Sequence, residues 1–238
     1  VVVRRAPSEE AAIAADGTAD VDASLLPLFD YLFCRQEYGV EAGLQLVRLG
    51  GDRTYRGEVI VRADSPLKTL QDLDGKRVAF ADPFSTSGFL YPARLLAQAG
   101  VKEQAVFAGG QGKALELLKQ GKADAAATFK QAVVDDPGLR VLAETAEIPN
   151  EPVFFRAALE PRLRQAFTAA LLKVVAGGQA ADVLHALGDV TGFVPVADAH
   201  YDGVHGEIES AGKSVAELVP NGQRILRENR APVVPPTP

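Results

Sequence analysis

Apolar positions change their spacing several times along this chain, and each spacing predicts a different element. Ser8-Glu9-Glu10 opens a short helix through Ala15, with acidic residues in its first turn and Gly17 at its stop. Residues 19–26 then read as a strand, followed by strand candidates at Leu44–Arg48 and Glu58–Arg62. In the last of these Val59-Ile60-Val61 is a continuous apolar run, as expected of a strand covered on both faces, and Asp64-Ser65-Pro66 ends it. Strand 76–81, a helix from Gly88 to Ala99, a strand around Ala105–Phe107 and a helix Lys113–Gln120 closed by Gly121 alternate in the α/β manner. Further on, Leu163, Phe167, Ala170, Leu171 and Val174 recur at steps of three and four. They predict an amphipathic helix, started at Pro161, with this stripe in the core.

The junction between strand 76–81 and the following helix adds chemistry. Asp82-Pro83-Phe84-Ser85-Thr86-Ser87-Gly88 is a Ser/Thr/Gly turn leading from a strand into a helix. The first N–H groups of such a helix have no partner within it and carry partial positive charge. With three hydroxyls beside them they form a ready oxyanion site built from neutral donors. The same pattern also serves a helix whose N-cap is Ser85, with no ligand at all.

Composition narrows the partners. The 238 residues suffice for one large domain or for two lobes of about 100 residues each. Net charge of −6 argues against wrapping nucleic acid or resting on an anionic membrane, both of which need basic surface. No apolar run approaches the roughly 20 residues that span a bilayer, and Val1-Val2-Val3-Arg4-Arg5 does not have the order of a signal peptide. Cys34 is the single cysteine, so no disulfide framework or thiolate metal cluster is expected, and its expected role is packing.

Gly17-Thr18-Ala19-Asp20 and Gly121-Lys122-Ala123-Asp124 each follow a helix and enter a strand, a weak repeat that two lobes of related construction, or chance, would produce. Each Gly would take the left-handed helix stop, and each Asp would accept backbone N–H bonds. On the two-lobe reading the chain crosses between lobes near 57–62 and 151–156. Residues 1–57 and 156–238 then form lobe one, residues 58–155 form lobe two, and the cleft lies between them.

Four stretches carry a family resemblance. Leu70-Gln71-Asp72-Leu73-Asp74-Gly75-Lys76-Arg77-Val78-Ala79-Phe80-Ala81-Asp82-Pro83, followed by Ser85-Thr86-Ser87-Gly88, resembles the signature of the phosphate/phosphite/phosphonate substrate-binding proteins of ABC transporters. Tyr55-Arg56-Gly57-Glu58-Val59-Ile60-Val61-Arg62 is similar to that family's first crossing strand and Glu147-Ile148-Pro149-Asn150-Glu151-Pro152-Val153 to its second. Thr191-Gly192-Phe193-Val194-Pro195 with Tyr201 resembles its C-terminal signature. The stretches keep the family's order across roughly residues 8–218, which is far more specific than the turn alone.

The resemblance implies a two-lobed type II periplasmic-binding fold, α/β in class, that closes on an oxyanion through hinge residues in the crossing strands. Ser85, Thr86 and Ser87 match the turn that grips the anion. Tyr55 matches a tyrosine beside the first crossing, and Tyr31 matches, within one residue of register, a tyrosine on the opposite lobe. Either ring could instead sit in the core with its hydroxyl at the surface. Glu151 lies near the position where some aminophosphonate binders hold an acid against the ligand's amine, or is a solvated loop glutamate. Two departures stand out. Gly109-Gly110-Gln111-Gly112 replaces the usual Gly-Ser-His-Asp, so Gln111 offers a neutral amide where a histidine would carry charge. The strand and helix that normally precede the segment matching Val1-Val2-Val3 are expected to be missing from lobe one unless residues upstream of Val1 supply them, and the Pro-rich tail from Arg230 to Pro238 could fill part of that space or run free.

Catalysis finds little support. His185, His200 and His205 lie far from Ser87 in sequence, His200 and His205 are misspaced for a helical metal pair, and Asp135-Asp136 precede a Pro-Gly turn. The expectation is a monomeric, non-enzymatic solute-binding protein, without metal or cofactor, that captures a phosphonate, phosphite or phosphate ester. It would work on the outer side of the cytoplasmic membrane, in the periplasm or held by a lipid anchor, and deliver its ligand to an ABC permease. A ligand-sensing or accessory subunit with the same clamp and another small ligand is the alternative, and an enzyme on the type II fold a more distant one.

Overall fold

The computed structural model describes residues 2–129, 136–176 and 190–229. His185, Asp135, the tail from Arg230 and the side chain of Val174 lie outside the described residues.

Two sheets organise the chain. The first has the order β1 (Ala23–Leu25), β8 (Pro152–Phe155), β2 (Glu41–Arg48), β9 (Val190–Pro195), with every neighbour antiparallel. The second has the order β5 (Gln104–Phe107), β4 (Arg77–Phe80), β6 (Ala125–Phe129), β3 (Thr54–Arg62), β7 (Leu139–Pro149). Here β4 is parallel to β5 and β6, whereas β3 is antiparallel to β6 and β7.

Each sheet is covered on both faces, and period-two alternation assigns the side chains, except in β2, where a bulge between Ala42 and Leu44 turns the strand over. In the second sheet Val59, Val61, Val78, Phe80, Ala125 and Ala127 pack with Leu96 of α3 (Tyr91–Gln98). Ile60, Ala79 and Ala126 face the other way, onto Ala114, Leu115 and Leu118 of α4 (Gln111–Lys119). In the first sheet Ala42 and Phe154 pack under α1 (Glu9–Gly17), α2 (Leu28–Tyr38), α6 (Asp202–Ser210) and α7 (Gly222–Asn229). Leu44, Leu46, Val153 and Phe155 meet Phe167 and Leu171 of α5 (Pro161–Ala176), the helix that the apolar stripe predicts. Cys34 is fully buried in the core under α1 and α2.

The chain passes from the first sheet to the second through residues 49–53 and returns through Asn150 and Glu151. Residues 49–53 precede the expected crossing at 57–62, and the return at 150–151 overlaps only the first residue of that expected at 151–156. The run Val59-Ile60-Val61 belongs to the interior of the second sheet, where both of its faces are buried, and Pro152–Phe155 already pairs within the first. The two passages are tied to each other. The Asn150 N–H donates to the Arg53 carbonyl at 3.0 Å and the Leu46 N–H to the Glu151 carbonyl at 3.1 Å. The buried Asn150 amide donates to the carbonyls of Leu46 (3.1 Å) and Asp52 (3.0 Å), and the Tyr201 hydroxyl donates to the Asn150 carbonyl at 3.0 Å.

Other expectations need correction. The strand expected at 19–26 shrinks to Ala23–Leu25, because Ala19 has φ of +57° and breaks extended geometry before it. That also separates the two Gly-x-Ala-Asp units. At Gly121 (φ +69°) the glycine takes the left-handed stop and Asp124 accepts the Arg77 N–H at 2.9 Å. At the first unit Ala19 takes the left-handed position and Asp20 accepts from the Thr18 hydroxyl. Gly17 is instead required by space, since a Cβ there would come 2.7 Å from the Tyr38 ring.

Candidate functional site

The Ser/Thr turn opens differently from a regular helix. Thr86–Leu90 form a π-helical turn, with the Leu90 N–H bonded to the Ser85 carbonyl at 3.1 Å, and only then does α3 begin at Tyr91. Gly88 permits this: its carbonyl accepts the Ala81 N–H at 3.0 Å, so the turn is pressed onto the end of β4. A Cβ on Gly88 would lie 2.6 Å from the Ala81 Cβ. Ser85 caps the turn by accepting the Gly88 N–H on its Oγ at 3.0 Å, which commits its side chain to the local fold.

Around this turn the tertiary structure gathers neutral donors. The phenol of Tyr55, half-buried on β3, is hydrogen-bonded to the hydroxyls of Thr86 and Ser87. Burial pushes its pKa well above the tyrosine range and nearby Glu151 pushes the same way, so the phenol keeps its proton and remains a donor. Close approach of β3 to the turn depends on Gly57, whose added Cβ would come 3.0 Å from the Ser87 carbonyl oxygen, and the Gly57 N–H donates to Thr145 Oγ1 at 2.9 Å.

Gln111 comes from the opposite direction, at the start of α4 after Gly109 (φ +81°) and Gly110 (φ +142°). Its Nε2 donates to Ser87 Oγ at 3.4 Å, while the fully buried Thr128 hydroxyl donates to its Oε1 at 3.2 Å. The Thr128 bond fixes the amide with its donor toward the turn. Tyr55, Thr86, Ser87 and Gln111 are thus one hydrogen-bonded cluster drawn from three segments of the chain.

Tyr31 and Glu151 have other bonds. Tyr31 is fully buried in the first core, edge-on to Tyr201, and its hydroxyl donates to Asp198 Oδ1 at 2.6 Å, so that proton is not free for a ligand. The register match therefore does not make Tyr31 a free donor. Glu151 is salt-bridged to Arg48 at 2.8 Å, with both side chains less than a quarter exposed, and its charge is compensated within the protein. Arg48, Thr128 and Thr145 escape a reading of the sequence. The one local hint is that Thr128 interrupts the apolar strand Ala125-Ala126-Ala127. His200 meets Gln45 at 3.2 Å and His205 lies 3.7 Å from Glu209. Among the described residues no group of three His, Cys, Asp or Glu is placed to hold a metal ion.

Beside the cluster opens a cavity of about 310 Å³, bounded by Glu9, Phe29 and Asp30 of α1 and α2 and by Asp82, Ser85 and Thr86 of the turn. Asp30 is 2% exposed and its Oδ2 has no hydrogen-bond partner. Burial, and secondarily the charge of Glu9, raise its pKa from 3.8 to about 7, and burial raises Asp16 to about 6. With folded values above unfolded ones, the native state holds protons that the unfolded chain releases. These carboxyls favour folding fully below about pH 4 and lose that contribution as pH rises toward 7. Asp30→Asn is therefore expected to stabilise the protein by about 1–2 kcal/mol at pH 8 and by much less at pH 4, as read by thermal denaturation. An equal effect at both pH values would contradict this assignment.

Comparisons with known proteins bear on the family and the fold. Residues 1–201 match the model of the family described as "ABC transporter, phosphonate, periplasmic substrate-binding protein". The phosphate-import protein PhnD of Mycolicibacterium smegmatis is 35% identical over 96 residues, a match that spans 35% of this chain and only 30% of that protein. PhnD1 of Prochlorococcus marinus, solved in complex with methylphosphonate, superposes with a TM-score of 0.69 at 22% identity, covering 87% of this chain and 84% of its own. XAC2383 of Xanthomonas citri, solved with chloride, gives a TM-score of 0.72 at 21% identity over 93% of this chain and 84% of its own. At such identities the likeness establishes the fold, that of the type II periplasmic binding proteins.

Proposed function

The chain belongs to the family of periplasmic phosphonate substrate-binding proteins of ABC transporters, and from that premise we propose that it captures a small oxyanion and delivers it to an ABC permease. The ligand class is a phosphonate, phosphite or phosphate ester. The observation that carries this reading is the cluster of Tyr55, Thr86, Ser87 and Gln111, in which protonated hydroxyls and one fixed amide converge at a helix-opening turn. Neutral donors of this kind hold an oxyanion reversibly, as release to a permease requires. Residues 49–53 and 150–151, where the chain changes sheet, are the hinge of the closing clamp. The protein works as a monomer on the outer side of the cytoplasmic membrane, and among the described residues no helix is long and apolar enough to cross it.

Two relatives support the ligand class without deciding it: one carries phosphate import in its name and the other was solved with methylphosphonate. Calorimetric titration with methylphosphonate, phosphite and phosphate should show saturable binding of at least one of them. Thr86→Ala should weaken that binding by about 1–3 kcal/mol, the cost of leaving an ionised acceptor one donor short. Absence of binding by all three would reject the ligand class, and unchanged affinity in Thr86→Ala would remove the turn from the site.

A further inference from the structure

We propose that α3 and α6 form a latch that holds the two sheet units together before any ligand arrives, so that the chain rests closed and a ligand enters only when the latch opens. The inference rests on the reading of residues 49–53 and 150–151 as a hinge. It does not depend on which oxyanion is bound.

Two sides of α3 are buried, and in different cores. Ala93 and Leu96 pack with Val59, Val61 and Phe80 of the second sheet. Leu90, just before the helix, and Tyr91, its first residue, are 2% and 5% exposed, yet they belong to the core of the first sheet. There they join Tyr31, Phe154 and Tyr201, together with Val204 and Ile208 of α6. Arg94 stands three residues after Tyr91 and Glu207 three after Val204, a spacing that keeps each on its helix's contact side. Arg94 and Glu207 form a salt bridge between the helices, with their side chains 21% and 26% exposed. Burial pushes the Tyr91 phenol up to about 12, and the Arg94 guanidinium opposes that rise, as expected of neighbours.

The chain makes these contacts by itself. Leu90, Tyr91, Arg94 and Glu207 belong neither to the cluster of Tyr55, Thr86, Ser87 and Gln111 nor to the wall of the cavity, so a ligand does not complete them. Bending at the hinge carries α3 away with the second sheet and leaves α6 with the first. That motion exposes Leu90 and Tyr91 to water and parts the ion pair. Water re-solvates the separated charges, so the apolar contact carries most of the cost of opening, while the ion pair fixes which helices meet.

The test is small-angle scattering of the full chain, with and without saturating methylphosphonate, for the wild type, for Arg94→Glu, and for the charge swap Arg94→Glu with Glu207→Arg. The wild type is expected to keep one radius of gyration in both conditions. Arg94→Glu sets like charges face to face and should expand the unliganded chain by about 1 Å, from the roughly 18 Å of a compact chain of this length. The swap should return the wild-type value, which a general loss of packing would not do. Because only the closed fraction binds, Arg94→Glu should also weaken methylphosphonate binding at least about threefold, with the swap restoring it. Compaction of the wild type by methylphosphonate would overturn the latch and leave the hinge standing. An Arg94→Glu chain as compact as the wild type, or a swap that fails to restore compactness, would overturn the assignment to this pair. A single radius for every chain in both conditions would reject the hinge as well. If methylphosphonate does not bind, the three unliganded chains still decide the latch by themselves.

Discussion

Gly88→Ala is expected to destabilise the protein by about 3 kcal/mol and to weaken oxyanion binding at least tenfold, because the added methyl group has nowhere to go. It would lie 2.6 Å from the Ala81 Cβ, at the end of β4, and 2.7 Å from the Ser85 Oγ that caps the turn. The Ser85 side chain can rotate away only by giving up the Gly88 N–H, and Ala81 can yield only by lengthening the 3.0 Å bond between its own N–H and the Gly88 carbonyl. Either movement opens the π-turn that positions Thr86 and Ser87, so stability and binding should fall together. Urea denaturation and calorimetry measure the two. Gly112→Ala is the control for stability: it lies within α4, where an added methyl group would have no neighbouring atom within 4 Å, and should be neutral or slightly stabilising. Wild-type stability in Gly88→Ala would show that the turn does not depend on this close approach.

Asn150→Ala should cost about 2–4 kcal/mol of stability. The fully buried amide donates to the carbonyls of Leu46, just before the first passage between sheets, and of Asp52, within it, while its own backbone lies in the second. One side chain thus ties both crossings, and truncation removes two hydrogen bonds and leaves a void at the hinge. The midpoint of urea unfolding should fall with the slope unchanged. A loss below about 1 kcal/mol would mean that the backbone bonds from Asn150 to Arg53 and from Leu46 to Glu151 hold the crossing by themselves.

Much of the second sheet was legible because its residues alternate against two cores. Val59-Ile60-Val61 points to a strand buried on both sides, and that is how it packs, between α3 and α4. The helix over Pro161–Ala176 was legible from its one-sided stripe. By contrast α2 gave no periodic signal, since Leu28 through Cys34 are all buried and no polar face marks the helix. The crossings were displaced in the reading because an apolar strand looks the same whether it joins two sheets or lies inside one.

In the site the same division holds. Sequence by itself determined the strand-turn-helix with its three hydroxyls, the neutral amide at Gln111 and the acidic balance of the chain, because these depend on residue type and near neighbours. Only the tertiary structure decided which groups meet. Thr128 reaches Gln111 from a neighbouring element, Arg48 takes up the charge of Glu151, Asp198 accepts the hydrogen bond of Tyr31, and α1 and α2 bring Glu9 and Asp30 to the turn. Those pairings join different elements, most of them distant in the chain, and their partners are selected by sheet order, register and packing, which local spacing does not encode.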